Sequence, residues 1–536
     1  MVLKQENYNQ ILDLIKTGLI DKALALTRSF LKNNKEDLSL NKIQAFIYGQ
    51  KEEYELALEI LERLKKIYPK DFDIANNIGN YALKLENIDL AFANSVIAKK
   101  IKPESPVPYK NAADCFMLLR NFKSAEIEIN QCIHLNESLY QQYAYYIEAI
   151  LLKAEVLIAN HQREQAKIFL KKYLDFEFNS EICLELCDID PDFVSEKNIL
   201  HVKELIKNSA FSSHLNKFST LSPLLFILGK YYEKRDPISS DTYYVKANQE
   251  VSKIQRMHVF AYQKKFSEIM KKYEEIKNIN ISNFDYGGEA VFVVGLPRSG
   301  TTLLESILNA NNQVFAGGEL RAFQRFYNQY SDSLTPNITD RLERLGQNYL
   351  NCVSSIKGDY EFIIDKLPLN FSVIGFIAKS LPQSKIFLVL RNPWDVAKSQ
   401  FRQRYVQNVP FSSSFFNIGV YIANFEAIIN FWRSFSEIDQ RIYTIKYENL
   451  VRDTQKEQEK IYAYCKITEP YQENLRKKHF AKTASMNQVQ NTIHHNSSKN
   501  SAFEHLKPEF FDAYYAQREF WINKGIKFND IYFGYL

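Results

Sequence analysis

The chain has 536 residues, which is enough for two to four domains. Its 46% hydrophobic and 24% charged residues are typical of soluble globular proteins, and a net charge of +5 over this length does not indicate nucleic-acid binding. No apolar stretch reaches the ~18 residues of a membrane span and the first residues lack a signal-peptide run, so we expect a soluble, cytoplasmic protein. The six cysteines show no paired CxxC spacing, which favours buried thiols over a metal site.

The first half of the sequence repeats with a period of 34 residues. Small residues recur at this interval at Ala23, Ala57, Ala91 and Ala125. The segments around them, such as DKALALTRSFLKNNKED and ELALEILERLKKIYPKD, carry an apolar stripe that ends at a proline or a polar turn. This pattern resembles tetratricopeptide repeats, in which each unit is a pair of antiparallel helices. We predict an all-α solenoid of this type over residues 1–280. It serves either as support for the second half or as a docking surface for an acceptor or partner.

The repeat is clearest over residues 8–140 and then shifts in register. Ala166 follows Ala125 by 41 residues instead of 34, so we expect an insertion that lengthens the helix before residue 160. Residues 224–249 restore a helix–turn–helix pattern, and helical units therefore continue to about 250. A polar junction near 280–288 is the predicted domain boundary.

An α/β pattern begins at Ala290. The run AVFVVGL predicts a buried strand, GLPRSGTT follows it, and TTLLESILNAN has helical spacing. Strand, glycine loop and helix are the order of a phosphate-binding loop, in which backbone N–H groups and a helix N-terminus face an anion. Thr301 stands where a nucleotide triphosphatase has its lysine, and Arg298 is the only cation in the loop. The loop is therefore suited to one phosphate rather than to a magnesium triphosphate.

A second strand–helix unit, SKIFLVLRNPWDVAKSQF, predicts another anion site. Its strand, residues 386–390, ends at Arg391, and Pro393 can open a helix at its first turn. Ser399 follows Arg391 by about two helical turns. An arginine at the carboxyl end of a parallel strand lies at the ligand-binding edge of the sheet. Alone, Arg391 would be read as a surface ion pair; beside the first loop it indicates a second phosphate clamp.

These two segments resemble the sulfotransferase family that uses 3′-phosphoadenosine 5′-phosphosulfate. GLPRSGTT is similar to the family's loop for the 5′-phosphosulfate, and LVLRNPWDVAKS to its 3′-phosphate site. The best match is the protein-tyrosine sulfotransferase-like branch, including bacterial members fused to tetratricopeptide repeats. The resemblance covers residues 290–510 and implies a P-loop-like sulfotransferase domain over 288–536 with a central parallel sheet. It further implies that the donor nucleotide is a co-substrate, with no metal and no permanently bound cofactor.

The resemblance also implies roles for individual residues. It places the general base at Glu319, in VFAGGELRAF, and turns Arg321 toward the acceptor. It places Lys366, in FIIDKLPLNF, at the bridging oxygen of the leaving phosphate, a role that Arg298 can share. The donor-binding residues that it implies are Pro297, Arg298, Ser299, Gly300, Thr301, Thr302, Arg391, Ser399, Tyr447, Ser485, Gln488 and Lys499. Tyr447 would lie near the adenine, although a core tyrosine is nearly as compatible with the sequence. The last three lie in segment 481–503, which departs from the family pattern.

We therefore predict a sulfotransferase that transfers a sulfuryl group to a hydroxyl acceptor, for which peptidyl tyrosine is one candidate. The predicted partners are the donor nucleotide and a peptide, protein or small-molecule acceptor, without nucleic acid and without a membrane span. Two alternatives remain: a repeat-based adaptor with an inactive nucleotide-binding fold, and a P-loop kinase. The joint presence of Glu319, Lys366 and the two clamps argues against an inactive fold, and Thr301 argues against the kinase.

Overall fold

The computed structural model describes residues 5–139, 143–209, 217–254, 259–279, 285–332, 337–405, 410–477, 502–529 and 531–532. The chain divides into two compact units, Met1–Gln162 and Arg163–Leu536. None of the helices in these described ranges is a candidate membrane span.

The first unit consists of helical pairs. Its helices are α1 (Gln5–Lys16), α2 (Ile20–Asn33), α3 (Leu38–Gln50), α4 (Tyr54–Ile67), α5 (Phe72–Lys84), α6 (Ile88–Ile101), α7 (Val107–Leu118), α8 (Phe122–Leu139) and α9 (Tyr143–Ala159). The second helices of the first four pairs carry the repeating alanines, which are all fully buried: Ala23, Ala57, Ala91 and Ala125. The turns within these pairs each contain one residue with a left-handed backbone, with φ between +54° and +75°: Gly18, Glu52, Glu86 and Arg120. These turn residues are again 34 apart, so the tetratricopeptide-type array predicted from the small residues is confirmed.

The insertion after the fourth pair lengthens two helices. Helix α8 has 18 residues and α9 has 17, whereas α2, α4 and α6 have 14 each. The next left-handed turn residue, His161 at φ +64°, follows Arg120 by 41 residues, the same spacing that separates Ala125 from Ala166. The extra residues therefore extend the two helices that flank residues 140–142, which lie outside the described ranges.

The second unit begins with further helices. They are α10 (Arg163–Phe176), α11 (Ser180–Ile189), α12 (Glu196–Ser209), α13 (Lys217–Tyr232), α14 (Pro237–Ile254) and α15 (Val259–Glu274). Helices α13 and α14 form the hairpin expected over 224–249. Gly229 allows close contact there, because a Cβ at this position would lie 2.7 Å from the ring of Tyr244. The Ser240 hydroxyl of α14 donates a hydrogen bond of 2.7 Å to the Gly229 carbonyl and fixes the pair further.

The rest of the second unit is an α/β domain. Its elements are β1 (Ala290–Gly295), α16 (Thr301–Leu308), β2 (Val314–Ala316), α17 (Ala322–Asp332), α18 (Ile338–Lys357), β3 (Phe362–Asp365), α19 (Ile374–Ser380), β4 (Lys385–Leu390), α20 (Pro393–Phe401), α21 (Phe415–Arg433), α22 (Ser436–Asp439), β5 (Ile442–Lys446), α23 (Tyr447–Arg452), α24 (Thr454–Cys465), α25 (Glu473–Lys477) and α26 (Lys507–Asn523). The strands are ordered β2-β3-β1-β4-β5, and all neighbouring pairs are parallel. Every residue of β1 is buried, as expected for a central parallel strand covered on both faces. The predicted central parallel sheet is confirmed.

Helix α15 packs directly on the α/β domain. The ring of Tyr273 lies edge-on to Trp432, with 5.1 Å between the ring centroids. Gly375 makes room for it, since a Cβ there would lie 2.7 Å from the same tyrosine ring. The Lys379 ammonium donates to the carbonyl oxygens of Lys277 and Ile279, at 2.8 and 3.0 Å, and so caps the chain that leaves α15. Helical and α/β parts of the second unit therefore share a core, and the predicted boundary at 280–288 stays a prediction.

Candidate active site

The five strands deliver their following residues to one edge of the sheet. Because the strands are parallel, their carboxyl ends meet at the edge where open α/β sheets bind ligands. The predicted site residues follow one strand each, in chain order: Arg298 after β1, Glu319 after β2, Lys366 after β3, Arg391 after β4 and Tyr447 after β5. The topology therefore converges residues that are up to 149 positions apart in sequence.

The loop between β1 and α16 has an unusual backbone. Arg298 has φ +71°, a left-handed conformation that side-chain-bearing residues rarely adopt and that is often found where function requires it. Gly300 has φ +106° and packs against Tyr447, since a Cβ there would lie 2.4 Å from Cδ2 of that ring. The hydroxyl residues of the loop are almost completely buried, with exposures of 1% for Ser299, 4% for Thr301 and 5% for Thr302. These hydroxyls lie at the start of α16, where the first N–H groups of a helix have no partner within the helix.

The two predicted phosphate clamps contact each other. The Arg298 side chain donates from Nε to the Ser399 hydroxyl at 2.9 Å. Arg391 donates from Nη1 to the Arg298 carbonyl oxygen at 3.2 Å, and the Gln400 amide donates to the Pro297 carbonyl at 2.9 Å. Burial lowers the pKa of Arg298; a neighbouring tyrosine, Tyr405, opposes this shift, and the positive charge of Arg391 adds to it. Helix α20 and the phosphate loop thus form one connected basic surface.

Tyr447 lies between the two clamps. The guanidinium carbon of Arg391 is 4.5 Å from the centroid of its ring, within the range of a cation–π contact, while Gly300 packs against the same ring. The start of α20 is satisfied by its own cap, because the Asn392 side chain accepts from the N–H groups of Trp394 and Asp395. The groups that α20 and its approach offer to an anion are therefore Arg391 and Ser399 rather than the helix end.

Glu319 and Lys366 form an ion pair. The Lys366 ammonium lies 2.8 Å from Oε1 of Glu319. The lysine side chain is fully buried, whereas the glutamate side chain is 44% exposed. The backbone around them is also tied together: the Lys366 N–H donates to the Gly318 carbonyl at 2.8 Å, and the Gly318 N–H donates to Oε1 of Glu305 at 3.0 Å. The buried carboxylate of Glu305, on α16, thus holds the loop that carries Glu319.

Asp365 ends β3 directly before Lys366. Its fully buried carboxylate accepts from the Tyr349 hydroxyl at 3.2 Å, from the Leu367 N–H at 3.2 Å and from the Asn370 amide at 3.3 Å. Because three donors fix this carboxylate, its role is structural: it stabilises the turn at Lys366. Within the described ranges, no group of three or more acidic, histidine or cysteine side chains is placed to hold a metal ion.

The remaining predicted residues are Arg321 and three that lie outside the described ranges. Arg321 is exposed and directly precedes α17, two residues after Glu319. Ser485, Gln488 and Lys499 fall in residues that the structure does not describe, so their assignments remain predictions.

Three residues of the site were not predicted from sequence. Glu305 had a detectable signal, because a single carboxylate in the otherwise uncharged helix TTLLESIL indicates a buried, partnered acid. Gln400 and Tyr405 had none: both follow Ser399 in a polar stretch, and the chain has 33 tyrosines. Strand β2 also escaped prediction, since three residues are too few to show a strand pattern.

The sequence and the fold were also compared with known proteins. Residues 290–473 match the model of the Sulfotransferase family. An uncharacterized protein of Aquifex aeolicus is 27% identical over 228 residues, which are 39% of this chain and 29% of the relative. The nodulation protein NoeE of Sinorhizobium fredii is 29% identical over 125 residues, 20% of this chain and 30% of the relative. The chain thus spans less than a third of the length of these curated relatives. Among solved structures, the sulfotransferase STF9 of Mycobacterium avium is similar with a TM-score of 0.26 and 12% identity, covering 59% of this chain and 95% of that one.

The family model thus matches the part of the α/β domain that carries both phosphate-site motifs, and the resemblance to sulfotransferases first seen in those motifs is confirmed. In this chain the α/β domain follows helical pairs with the 34-residue period of tetratricopeptide repeats, the combination expected for a repeat-fused sulfotransferase.

Proposed function

We propose that the protein is a sulfotransferase that moves the sulfuryl group of 3′-phosphoadenosine 5′-phosphosulfate to a hydroxyl acceptor. The observation that carries the proposal is the convergence of Arg298, Glu319, Lys366, Arg391 and Tyr447 at one sheet edge of a sulfotransferase-family domain. Such a transfer requires a base, a cation for the leaving group and two anion sites for the donor.

The donor would be held by the two clamps. The loop residues Pro297 to Thr302, with their buried hydroxyls and the N-terminus of α16, are suited to the 5′-phosphosulfate. Arg391 and Ser399 are suited to the 3′-phosphate. The Ser399 hydroxyl accepts from Arg298 and still has its own proton to donate to a phosphate oxygen. Tyr447 offers a flat ring beside both sites for the adenine, and Ser485, Gln488 and Lys499 are proposed as further contacts.

The transfer step makes one bond and breaks one. The acceptor oxygen attacks sulfur, the bond between sulfur and the bridging oxygen of the 5′-phosphate breaks, and the acceptor proton passes to Glu319. The products are a sulfate ester and 3′,5′-adenosine bisphosphate. Glu319 is suited to this role because its carboxylate is half exposed, where an acceptor can reach it, while its partner Lys366 is buried behind it.

Lys366 and Arg298 would stabilise the leaving phosphate. Both cations belong to the strand-end cluster, and negative charge grows on the bridging oxygen as the sulfur bond breaks. A single preorganised donor aimed at such charge contributes roughly 3–4 kcal/mol to the transition state. The acceptor is proposed to be a peptidyl tyrosine, since Arg321 is exposed close to Glu319 and could hold an acidic peptide. The helical array is proposed to help dock it.

The test uses labelled donor with a panel of acceptors: tyrosine-containing peptides, sugars and small phenols. Glu319→Gln is the informative variant, and Glu519→Gln on the exposed face of α26 is its matched control. We expect Glu319→Gln to bind 3′,5′-adenosine bisphosphate normally and to lose transfer by roughly 10²–10⁴-fold, the range for a general base. The control should keep both properties.

Two outcomes would redirect the proposal. If the unaltered protein binds the bisphosphate but transfers to no acceptor in the panel, the adaptor with an inactive fold is the better description. If Mg-ATP raises the unfolding temperature and the bisphosphate does not, the domain is a kinase.

A further inference from the structure

Tyr405 brings an unpartnered hydroxyl to the candidate active site. Its oxygen is buried and has no hydrogen-bond partner among the described residues. Arg298 and Glu319, from two different strand ends, are both close enough to this hydroxyl to influence it electrostatically. A buried polar group without a partner is uncommon, and a catalytic role is one of the recognised reasons for it.

The chain holds Tyr405 in this place through the segment of residues 401–405. This segment leaves α20, the helix that carries Ser399, and is fastened to the helical part of the second unit at three points. The Phe401 carbonyl accepts from the Asn248 amide at 2.7 Å. Arg402 donates twice to the buried carboxylate of Asp241, from Nη2 at 2.7 Å and from Nε at 3.1 Å.

Arg404 completes the attachment. It forms a two-pronged ion pair with Glu181 of α11, at 2.7 and 2.9 Å. Such bidentate pairs fix orientation as well as distance. Three contacts within five residues therefore determine where the next side chain, that of Tyr405, is placed. The helices α11 and α14 thus contribute to the geometry of the site without supplying a group that touches it.

The Tyr405 hydroxyl keeps its proton at physiological pH. Burial raises its pKa to about 12, with the carboxylate of Glu319 acting in the same direction and Arg298 opposing both. It is consequently a neutral donor within electrostatic reach of the Arg298 cation and the Glu319 carboxylate. In the proposed reaction, Arg298 lies at the leaving phosphate and Glu319 at the acceptor. The sulfuryl group passes between them, and its oxygens are hydrogen-bond acceptors.

Building on the proposed function, we infer that Tyr405 is a further catalytic residue whose hydroxyl donates a hydrogen bond to an oxygen of the sulfuryl group. The contact exists only when a sulfuryl group is present. Tyr405 therefore distinguishes 3′-phosphoadenosine 5′-phosphosulfate from 3′,5′-adenosine bisphosphate, which has the same two phosphates and lacks the sulfuryl group.

The test is calorimetric binding of these two nucleotides, without acceptor, to the full chain and to Tyr405→Phe. The substitution removes one oxygen and keeps the ring, so the packing of residues 401–405 is retained. A hydrogen bond to a charged group supports about 10- to 100-fold in affinity. We expect Tyr405→Phe to bind the phosphosulfate that much more weakly and the bisphosphate with unchanged affinity. Tyr515→Phe, at an exposed tyrosine of α26, is the control and should change neither.

Each other result would overturn the inference. Equal weakening of both nucleotides would make Tyr405 a part of the nucleotide pocket or of the fold. Unchanged binding of both, with a raised acceptor KM in the transfer assay, would assign the hydroxyl to the acceptor. If label from the donor becomes attached to the unaltered protein but not to Tyr405→Phe, Tyr405 is itself a sulfate acceptor. If the unaltered protein binds neither nucleotide, the proposed function fails and this inference with it.

Discussion

Replacing Gly300 with alanine tests whether the phosphate loop and the end of β5 form one packed unit. The new Cβ would lie 2.4 Å from Cδ2 and 3.1 Å from Cε2 of Tyr447. Gly300 also has φ +106°, and a left-handed backbone costs a residue with a side chain about 1–2 kcal/mol. Overpacking adds about 1–3 kcal/mol. We therefore expect Gly300→Ala to lower the free energy of unfolding of the second unit by roughly 2–5 kcal/mol.

The same substitution should weaken nucleotide binding. Tyr447 can relieve the contact only by moving its ring, and that ring carries the Arg391 guanidinium at 4.5 Å. Displacing Arg391 disturbs the second clamp while the alanine disturbs the first. We expect the Kd for 3′,5′-adenosine bisphosphate, measured by calorimetry, to rise at least about tenfold, which corresponds to ~1.4 kcal/mol.

Gly525→Ala is the matched control for backbone strain. Gly525 has φ +89°, and no atom of the described residues lies within 4 Å of a Cβ built there. It should cost about 1–2 kcal/mol of unfolding free energy and leave nucleotide binding unchanged. Equal losses of stability in the two variants, with equal affinity for the bisphosphate, would refute the packing of Gly300 against Tyr447. Partial recovery of stability in Gly300→Ala/Tyr447→Ala would support it, because the second change removes the obstructing ring.

Two further predictions concern stability. Asp241→Asn should lower the free energy of unfolding by roughly 1–3 kcal/mol in thermal denaturation, because the Asp241 side chain is 1% exposed and that of its partner Arg402 only 26%. The control is Asp192→Asn, whose ion pair with Arg235 is exposed by 61% and 35% and which should change the free energy by under ~0.5 kcal/mol. Equal effects of the two variants would contradict the buried attachment. Burial raises the pKa of Tyr462 from 10 to about 12, so the stability linked to its proton is complete below pH 10 and lost as the pH rises to 12. Between pH 9 and pH 11, the unfolding free energy measured by chemical denaturation should therefore fall by about 1 kcal/mol less in Tyr462→Phe than in the unaltered chain. Equal decreases in the two proteins would place the Tyr462 hydroxyl in water.

The sequence predicts the repeat array well because its packing is local. A helix pair needs a small residue where its helices touch and a turn residue between them, and both recur every 34 positions, as at Ala57 and Glu52. The strands β1 and β4 were equally visible as apolar runs, since a strand buried on both faces needs apolar side chains at almost every position. Strand β2 has only three residues, and its position is determined by its pairing with β3. A local sequence pattern does not show such a pairing.

The site was predictable where a residue follows a strand. Arg298 and Arg391 follow strands that are recognisable in the sequence, so the geometry of parallel sheets already places them together. Tyr405 could not be found in this way. Its position depends on Glu181, Asp241 and Asn248, which lie 153 to 223 residues from their partners in the segment of residues 401–405. Sequence alone does not show which acidic residue of a helical array will meet which arginine.

The contacts of Arg298 show how a cation is held in the loop although the lysine of a triphosphate site is missing. In a triphosphate loop that lysine is supplied by the loop's own helix, whereas here the position is Thr301, which is 4% exposed. The replacement cation, Arg298, comes from the left-handed turn before it and is held from outside the loop. Its side chain is bound by Ser399, its carbonyl by Arg391, and the preceding carbonyl by Gln400. All three belong to α20 or to the residue that leads into it from β4. Arg298, the cation of the predicted 5′-phosphosulfate site, is thus held by residues of the predicted 3′-phosphate site. If the proposed donor binds here, we expect recognition of its two ends to be coupled through these contacts.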